Sequence, residues 1–302
     1  MKGSDALILY HYPCTDGGFA AYAAYRAREQ EHWSRVTFMP YDYRAGHPKV
    51  SELPSGDRLY LLDCMGPSPE WVRECCARYK AVIVIDHHKT AFEVLDKVAA
   101  SESGTPSNLH LCMSETRSGC ALALDYFHDM PLDLQRLYAY VEDNDIWRHA
   151  LPDSKAFTAG LSMRGIDYDF REPCLAETVR VIEALKFDDI MESGRAELKR
   201  RSQLCDVYFR QARVVTLGGN YEILGVRIAS SDWVITSELG ERLALASGAH
   251  IGAIFNDGKV SLRSIDKVDT TLISKQYGGG GHAGASGFKF TVEQWDSAHF
   301  PK

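Results

Sequence analysis

At 302 residues, the chain is long enough for two domains, and its 45% hydrophobic and 25% charged residues are typical of a globular protein. The formal net charge of −7 argues against a broad basic surface for long duplex DNA. A short anionic substrate is compatible with this charge, because bound divalent cations would supply local positive charge.

Strands and helices alternate in the first part of the sequence. The run Val82–Ile85 is continuous, apolar and rich in β-branched residues, as strands buried on both faces of a parallel sheet are. The alternation predicts an α/β fold with a doubly wound parallel sheet. The predicted strands are Ala6–Tyr10, Val36–Met39, Arg58–Leu62 and Val82–Ile85, and the predicted helices are Phe19–Arg28 and Pro69–Tyr79.

Polar residues follow three of these strands at the point where each strand ends. His11 follows the first strand, Asp63 follows the third, and Asp86, His87 and His88 follow the fourth. In an open α/β sheet, ligands bind beyond the carboxyl ends of the strands. Taken alone, Asp86 to His88 would be explained equally well as a solvated turn. The recurrence at three strands favours a functional site.

The middle of the sequence is mainly helical. A short strand over Cys112–Glu115 precedes helices over Ser118–Phe127 and Leu132–Val141. Asp143 and Asp145 follow directly. On spacing alone, a helix end exposed to water explains these two carboxylates slightly better than a group of ligands does.

A second domain follows a long helical stretch. Residues 174–212 look helical, with a weak point at Ser193-Gly194, and the composition changes near residue 213. We divide the chain into a catalytic domain over 1–190, a helical connector over 191–212, and a smaller α/β domain over 213–302. In the last of these we predict strands over Val214–Leu217, Glu222–Ile228, Ile251–Asn256 and Lys259–Ser264, and a helix over Glu238–Ala246.

The spacing of the cysteines and the hydropathy of the sequence bear on the cellular compartment of the protein. None of the eight cysteines forms a C-x-x-C pair, and the N-terminal apolar run is too short for a signal peptide. No stretch approaches the ~20 apolar residues of a membrane span. We therefore expect reduced thiols and a cytoplasmic protein that does not bind membranes.

Imidazole and carboxylate groups recur in a combination that suits divalent metals. Carboxylates select hard cations and imidazole favours transition metals, so Mn²⁺ is the expected ion, ahead of Mg²⁺, Co²⁺ or Zn²⁺. Two metals would clamp the attacking and leaving oxygens of a phosphoryl transfer, and Asp63 could bridge them. Asp86 would orient an adjacent histidine, and His88 would support the ligands or transfer a proton. The candidate ligands are His11, Asp16, Asp63, His87 and either Asp143 or Asp145.

A glycine run near the end of the sequence indicates phosphate binding. Glycines let backbone N–H groups approach phosphate oxygens closely, and His282 follows Gly280 and Gly281 directly. A tight turn is the alternative, and the run is longer than a turn needs. Arg263 ends an alternating strand, where its guanidinium suits a phosphate or a carboxylate. A surface arginine on an edge strand explains it nearly as well.

Together, Asp86-His87-His88, the loop from His11 to Asp16, Asp63 and the late GGGGHAGASGF resemble the DHH phosphoesterases with a DHHA1 C-terminal domain. The resemblance spans Leu7 to Phe288 and implies a two-domain enzyme that uses Mn²⁺ to hydrolyse phosphodiester or phosphoanhydride bonds. It implies that His88 is a general acid or a substrate contact. It also implies metal ligation by His11, Asp16, Asp63, His87 and Asp143, and substrate binding by Arg263, Gly280, Gly281 and His282.

Two departures from the family pattern concern the metal ligands. The usual first motif is His-x-x-x-Asp-x-Asp, whereas here a single carboxylate, Asp16, follows His11, and Cys14 lies near the place of the missing Asp. Cys14 would ligate a softer metal, or one metal site would be weakened; we assign the chain to a subtype with a Cys-x-Asp-Gly loop. Asp143 precedes Trp147 by four residues, the family spacing, so it is preferred over Asp145.

These observations predict a metal-dependent phosphohydrolase for short nucleotides, such as oligoribonucleotides, dinucleotides or 3′-phosphoadenosine 5′-phosphate. The expected nucleophile is a hydroxide that bridges two metals. The alternatives are a polyphosphate or phosphoanhydride hydrolase and a nucleotide-binding regulatory protein with weakened catalysis. The sequence leaves the oligomeric state open, with a homo-oligomer as one alternative.

Overall fold

Five parallel strands form the sheet that organises the first half of the chain. In the computed structural model, which describes residues 4–128, 131–219 and 221–298, their order is β2-β1-β3-β4-β5. All neighbouring pairs are parallel, which confirms the predicted sheet. The strands are β1 Ser4–His11, β2 Trp33–Tyr41, β3 Arg58–Leu62, β4 Ala81–Asp86 and β5 Leu109–Met113.

Both faces of this sheet are covered by helices. Successive side chains of a strand point to opposite faces, so Ile8 and Tyr10 belong to one apolar cluster and Leu7 and Leu9 to another. The first cluster includes residues of α1 Thr15–Ala27, α4 Gly119–Phe127 and α5 Leu132–Asp145. The second includes residues of α2 Pro69–Arg78 and α3 Lys89–Ala99. Burial on both faces explains why the strands are uniformly apolar.

Three further helices complete this part of the chain: α6 Ser154–Ser162, α7 Leu175–Glu183 and α8 Phe187–Phe209. Gly194 does not interrupt α8, contrary to the predicted weak point. A Cβ on Gly194 would lie 1.8 Å from the carbonyl oxygen of Ala156, and one on Gly160 would lie 2.0 Å from that of Ile190. The two glycines therefore allow α6 and α8 to cross with their backbones in contact.

The chain divides into two compact units, one ending at Arg195 and the other beginning at Ala196. The second contains a six-stranded mixed sheet in the order β10-β11-β9-β8-β7-β6, with α9 Thr236–Ala246, α10 Thr271–Ser274 and α11 Val292–Ser297. Its strands are β6 Arg213–Leu217, β7 Tyr221–Arg227, β8 Ile251–Asn256, β9 Lys259–Ser264, β10 Gly280–His282 and β11 Ala285–Lys289.

The structure contains the predicted strands with somewhat different first and last residues, while α3, α6, α10 and α11 are helices that the sequence pattern did not indicate. The structure of the glycine run departs further from the prediction. Its composition predicts a phosphate loop or a turn, whereas part of it is strand β10, paired antiparallel with β11. Within the described ranges, no helix combines the length and the apolar character needed to cross a lipid bilayer.

Candidate metal centre

The centre lies at the carboxyl ends of β1, β3 and β4, which are neighbours in the first sheet with β3 in the middle. Adjacent strands are ~4.8 Å apart, so side chains at these three ends meet. Asp63 follows β3 with φ of 55°, in the left-handed region, and its N–H donates to the carbonyl oxygen of Ile85 over 2.8 Å. The central residue of the site is thus held by the neighbouring strand.

Asp63 contacts histidines from both neighbouring strands. Its Oδ2 lies 3.2 Å from His11 Nδ1, and its Oδ1 lies 3.3 Å from His87 Nε2. Burial alone would raise the pKa of Asp63, but the imidazoles of His11 and His87 beside it outweigh burial and lower the pKa to about 2. Asp63 is therefore an ionised carboxylate with one oxygen facing each histidine.

Two more carboxylates approach His87. Its Nε2 lies 3.3 Å from Asp145 Oδ2 and 3.8 Å from Asp16 Oδ2. Burial raises the pKa of Asp16 well above its usual range, and the charges of Asp63 and Asp145 raise it further. Burial and the charge of Asp63 raise the pKa of Asp145 as well. Three carboxylates so close together need protons or cations to neutralise them.

The beginning of α4 anchors Asp16. The backbone N–H groups of Gly119 and Cys120 donate to its two carboxylate oxygens over 2.7 and 3.1 Å. These groups carry the partial positive charge of a helix N-terminus, which favours the ionised carboxylate. Asp16 is thereby fixed in place while still facing His87.

Several polar atoms at the centre are buried without a hydrogen bond. They include Asp63 Oδ1, His87 Nε2 and Asp145 Oδ2. Buried polar groups normally have partners, and a divalent cation would supply one to each of these atoms. Ligand atoms converge in two groups, each within 4.8 Å: His11, Asp63 and His88, and Asp16, Asp63 and His87. The residues present therefore fit two cations that share Asp63.

Asp86 organises the turn that carries both histidines. Its Oδ1 accepts hydrogen bonds from the N–H groups of His87 and His88, over 2.6 and 3.1 Å, and from His88 Nδ1 over 2.8 Å. The bond to Asp86 raises the pKa of His88 to about 9. The His88 side chain is 39% exposed, so a substrate can reach it.

The geometry favours Asp145 over Asp143 as a ligand. Both residues lie on α5, but the Asp143 carboxylate accepts hydrogen bonds from the N–H groups of Ala150 and Leu151, over 2.9 and 3.3 Å. Asp145 is the one beside His87. Asp143 thus holds the loop after α5.

Cys14 stands outside both ligand groups. It precedes α1, its carbonyl oxygen accepts from the N–H of Gly18, and burial raises the pKa of its thiol to about 12. The two groups of converging ligand atoms are therefore formed without Cys14.

The residues expected to bind substrate lie in the second unit. Cross-strand pairing puts Arg263, Ala285 and His282 in one row, so their side chains share a face of the sheet. Gly281 has a packing reason to be glycine: its φ is 140°, and a Cβ there would lie 2.6 Å from the carbonyl oxygen of Ala285. A Cβ on Gly280 would meet nothing within 4 Å.

Gly119 is a site residue that the sequence motifs missed. A Cβ there would lie 2.6 Å from Asp63 Cβ and 2.7 Å from Asp63 Oδ1. Its position at the start of a predicted helix after Ser118 was the available signal. Tyr43 was also missed; its ring packs edge-on against His11 with centroids 5.2 Å apart.

The Gly119→Ala variant should bind Mn²⁺ about 10- to 100-fold more weakly, the range typical of residues that support metal ligands. The added methyl group forces Asp63 away from its position. Isothermal titration calorimetry would measure the affinity. Gly248→Ala is the matched control, because a Cβ there meets no atom within 4 Å. Equal affinity in the Gly119→Ala variant and the wild type would contradict the geometry.

Comparison with known proteins gives the fold. No protein-family model matches the sequence. An uncharacterized protein of Acanthamoeba polyphaga mimivirus, R106, is 28% identical over 218 residues, which cover 69% of this chain and 48% of the viral protein. The chain thus spans about half the length of this curated relative.

Among solved structures, the pGpG-specific phosphodiesterase PggH of Vibrio cholerae aligns with a TM-score of 0.52 at 12% identity, over 98% of this chain and 96% of PggH. RecJ of Thermus thermophilus, in complex with Mn²⁺, aligns with a TM-score of 0.45 at 15% identity, over 99% of this chain and 53% of RecJ. The alignment with PggH covers nearly the whole of both chains.

Proposed function

We propose that the protein is a divalent-metal-dependent phosphoesterase acting on short nucleotides, and the fold that it shares with a solved phosphodiesterase supports this. The observation that carries the proposal is the shared carboxylate of Asp63, which faces His11 with one oxygen and His87 with the other. A carboxylate with a histidine at each oxygen is suited to bridging two cations.

The donor atoms select the kind of metal. Asp16, Asp63, His87 and Asp145 would hold one cation, and His11 and Asp63, with His88 nearby, would hold the other. Mixed imidazole and carboxylate ligands favour Mn²⁺, with Mg²⁺ or Co²⁺ as alternatives. When bound, such cations polarise phosphoryl oxygens and lower the pKa of water.

His88 and Asp86 supply the proton chemistry. Asp86 Oδ1 accepts from His88 Nδ1, which fixes the ring and stabilises its protonated form. A protonated, partly exposed imidazole can donate to the leaving-group oxygen as a phosphoester bond breaks. Asp86 is a positioning residue, because it acts through His88.

Two features support short nucleotides as the substrate class: the net charge of the chain and the basic side chains of the second unit. A net charge of −7 does not suit long duplex DNA, whereas Arg263 and His282 share one face of the second sheet and suit a phosphate. The structural neighbour PggH is described as a pGpG-specific phosphodiesterase. We extend the proposal to a catalytic domain over 1–190, a connector over 191–212, a substrate-binding domain over 213–302, and a cytoplasmic location.

The test is product release with Mn²⁺ and with EDTA from a panel of substrates. The panel comprises pGpG, a ribo-dinucleotide, 3′-phosphoadenosine 5′-phosphate, a cyclic dinucleotide and tripolyphosphate. We expect hydrolysis of at least one nucleotide that depends on metal. Hydrolysis of tripolyphosphate alone would replace the proposal with a phosphoanhydride hydrolase. Nucleotide binding without any hydrolysis would replace it with a regulatory protein.

A further inference from the structure

The second unit contains a cavity of about 590 Å³ where the end of α8, the start of β6, the end of β7 and α11 meet. Pockets for small ligands range from roughly 300 to 1,000 Å³, so the cavity has room for much more than one phosphate ion. Its lining includes Arg210, Arg213 and Arg227, and one carboxylate, that of Asp296. The chain has a formal net charge of −7, yet this cavity has an excess of positive charge and attracts anions.

Strand pairing puts two of the arginines on one face of the second sheet. Arg213 of β6 pairs with Gly225 of β7, and Arg227 lies two residues beyond Gly225 on the same strand. Residues two apart on a strand point to the same face. Arg213 and Arg227 are therefore diagonal neighbours, and residues so placed are ~7–8 Å apart.

The cavity lies on the opposite face of this sheet from Arg263. Phe255 and Leu262 belong to one apolar cluster, and Arg227 pairs with Phe255 and so shares their face. Arg263 follows Leu262 in the chain and points to the other face, where a Cβ on Gly240 of α9 would lie 2.6 Å from Arg263 Cγ. The cavity is thus separate from the row of residues expected to bind substrate.

Trp295 of α11 forms the floor of the cavity. It is 1% exposed, and its ring stacks on Phe255 with centroids 5.3 Å apart. A Cβ on Gly225 would lie 2.9 Å from the Trp295 ring, so the indole packs directly on β7. The guanidinium carbon of Arg227 lies 5.7 Å from the centroid of the Phe255 ring. An apolar floor lowers the local dielectric constant, which strengthens the attraction between a guanidinium group and an anion.

The three guanidinium groups of the cavity make no hydrogen bond and no ion pair within the described part of the chain. Arg227 has only its contact with the ring of Phe255. By contrast, Arg200 and Arg242 of the same unit each pair with a carboxylate at 2.7 Å. Asp296, the carboxylate in the lining, pairs with none of the three. Their donors are therefore available to an anion.

The backbone that carries Arg210 is fixed. Its N–H donates to the carbonyl oxygen of Asp206 over 3.3 Å, at the end of α8. The N–H of Ala212 donates to the carbonyl oxygen of Phe209 over 3.1 Å, and β6 begins at the next residue. Since the backbone is already ordered, binding of an anion would order only side chains, which lowers the entropic cost.

We propose that this cavity binds a chain of linked phosphate groups, from an inorganic polyphosphate or from the triphosphate of a nucleotide, as a ligand other than the substrate. A guanidinium group pairs with a phosphate through two parallel hydrogen bonds. Three such groups at separate backbone positions, in a cavity larger than one phosphate, suit successive phosphates of a chain. Binding does not depend on the proposed hydrolysis, because none of these residues belongs to the metal centre.

Isothermal titration calorimetry in EDTA would measure binding of tripolyphosphate, ATP, AMP and inorganic phosphate to the full chain. EDTA removes divalent cations, so the metal centre cannot hold the phosphates through a metal. We expect tripolyphosphate and ATP to bind at least about 10-fold more tightly than AMP and inorganic phosphate, the value of one added charge-assisted hydrogen bond. Tighter binding of ATP than of tripolyphosphate would identify a nucleotide as the source of the phosphates, and equal or weaker binding an inorganic chain.

Arg213→Gln and Arg227→Gln should each weaken tripolyphosphate binding about 10-fold. Arg200→Gln is the matched control, because it makes the same change of charge on α8 in the same unit, outside the cavity. It should bind as the wild type does, and thermal unfolding should show that every variant is folded. Equal affinities of the wild type for tripolyphosphate and inorganic phosphate, or unchanged affinities in both cavity variants, would overturn the inference.

Arg263→Gln distinguishes the two faces of the sheet. It should leave the affinity for tripolyphosphate within about twofold of the wild type, because charges far from the bound phosphates are screened by salt. Loss of binding in Arg263→Gln without loss in Arg227→Gln would place the phosphates on the other face and overturn the inference. Hydrolysis in Mn²⁺ tests the proposed function separately, and its absence would leave binding in EDTA unaffected.

Discussion

The Asp63→Asn variant should lose about 10³-fold or more of the proposed hydrolytic activity and should bind Mn²⁺ at neither site. Asparagine keeps the shape of the side chain but removes the charge and replaces one carboxylate oxygen with an amide nitrogen. Since both ligand groups include Asp63, the single change affects both cations. Metal polarisation contributes several kcal/mol to such reactions, and each 1.4 kcal/mol is a factor of ten in rate.

Bound Mn²⁺ can be counted by electron paramagnetic resonance of the free ion, which gives a readout independent of activity. Asp96→Asn is the matched control, because Asp96 is an exposed carboxylate on α3 in the same unit. It should bind Mn²⁺ as the wild type does. If Asp63→Asn bound as much Mn²⁺ as the control, Asp63 would not bridge two metals.

The strands that carry the centre could be predicted from the sequence, because their patterns are local. Val82 to Ile85 is apolar throughout since β4 is covered on both faces, and the strand ends at the polar residues that follow. A parallel sheet then brings the carboxyl ends of its strands to one edge. His11, Asp63 and His87 could therefore be placed together before their distances were known.

The choice between Asp143 and Asp145 could not be predicted in this way. Two residues apart on a helix, their side chains point about 200° apart, since each residue turns the helix by about 100°. Which one faces the centre depends on how α5 packs against the sheet. The predicted helix ends at Val141, whereas α5 continues to Asp145. Spacing to Trp147 is therefore a weak guide to the ligand.

Close contacts between segments that are distant in the chain could not be predicted from the sequence either. Gly119 is 56 residues from Asp63 in the chain, yet the two lie so close that a Cβ on Gly119 would overlap the Asp63 side chain. Composition alone describes the glycine run as a loop, whereas its pairing with β11 shows that Gly281 is needed for packing. Propensity and spacing describe neighbours in sequence, whereas these contacts depend on tertiary packing.

Replacing Asp143 or Asp145 on α5 by asparagine should show which of the two binds metal and which stabilises the fold. Asp145→Asn should weaken Mn²⁺ binding by at least about 10- to 100-fold and leave the free energy of unfolding nearly unchanged, because Asp145 Oδ2 has no hydrogen bond to lose. Asp143→Asn should lower the free energy of unfolding by about 1–3 kcal/mol, because the buried carboxylate accepts two backbone N–H bonds. Urea denaturation and Mn²⁺ titration would measure the two effects.

The titrations belong at a temperature where near-UV circular dichroism shows both variants folded, because a destabilised Asp143→Asn protein could lose metal affinity merely by unfolding. Under that condition it should bind Mn²⁺ nearly as the wild type does. Weak binding by folded Asp143→Asn together with normal binding by Asp145→Asn would restore the assignment based on spacing. It would mean that α5 turns its other side to the centre when metal binds.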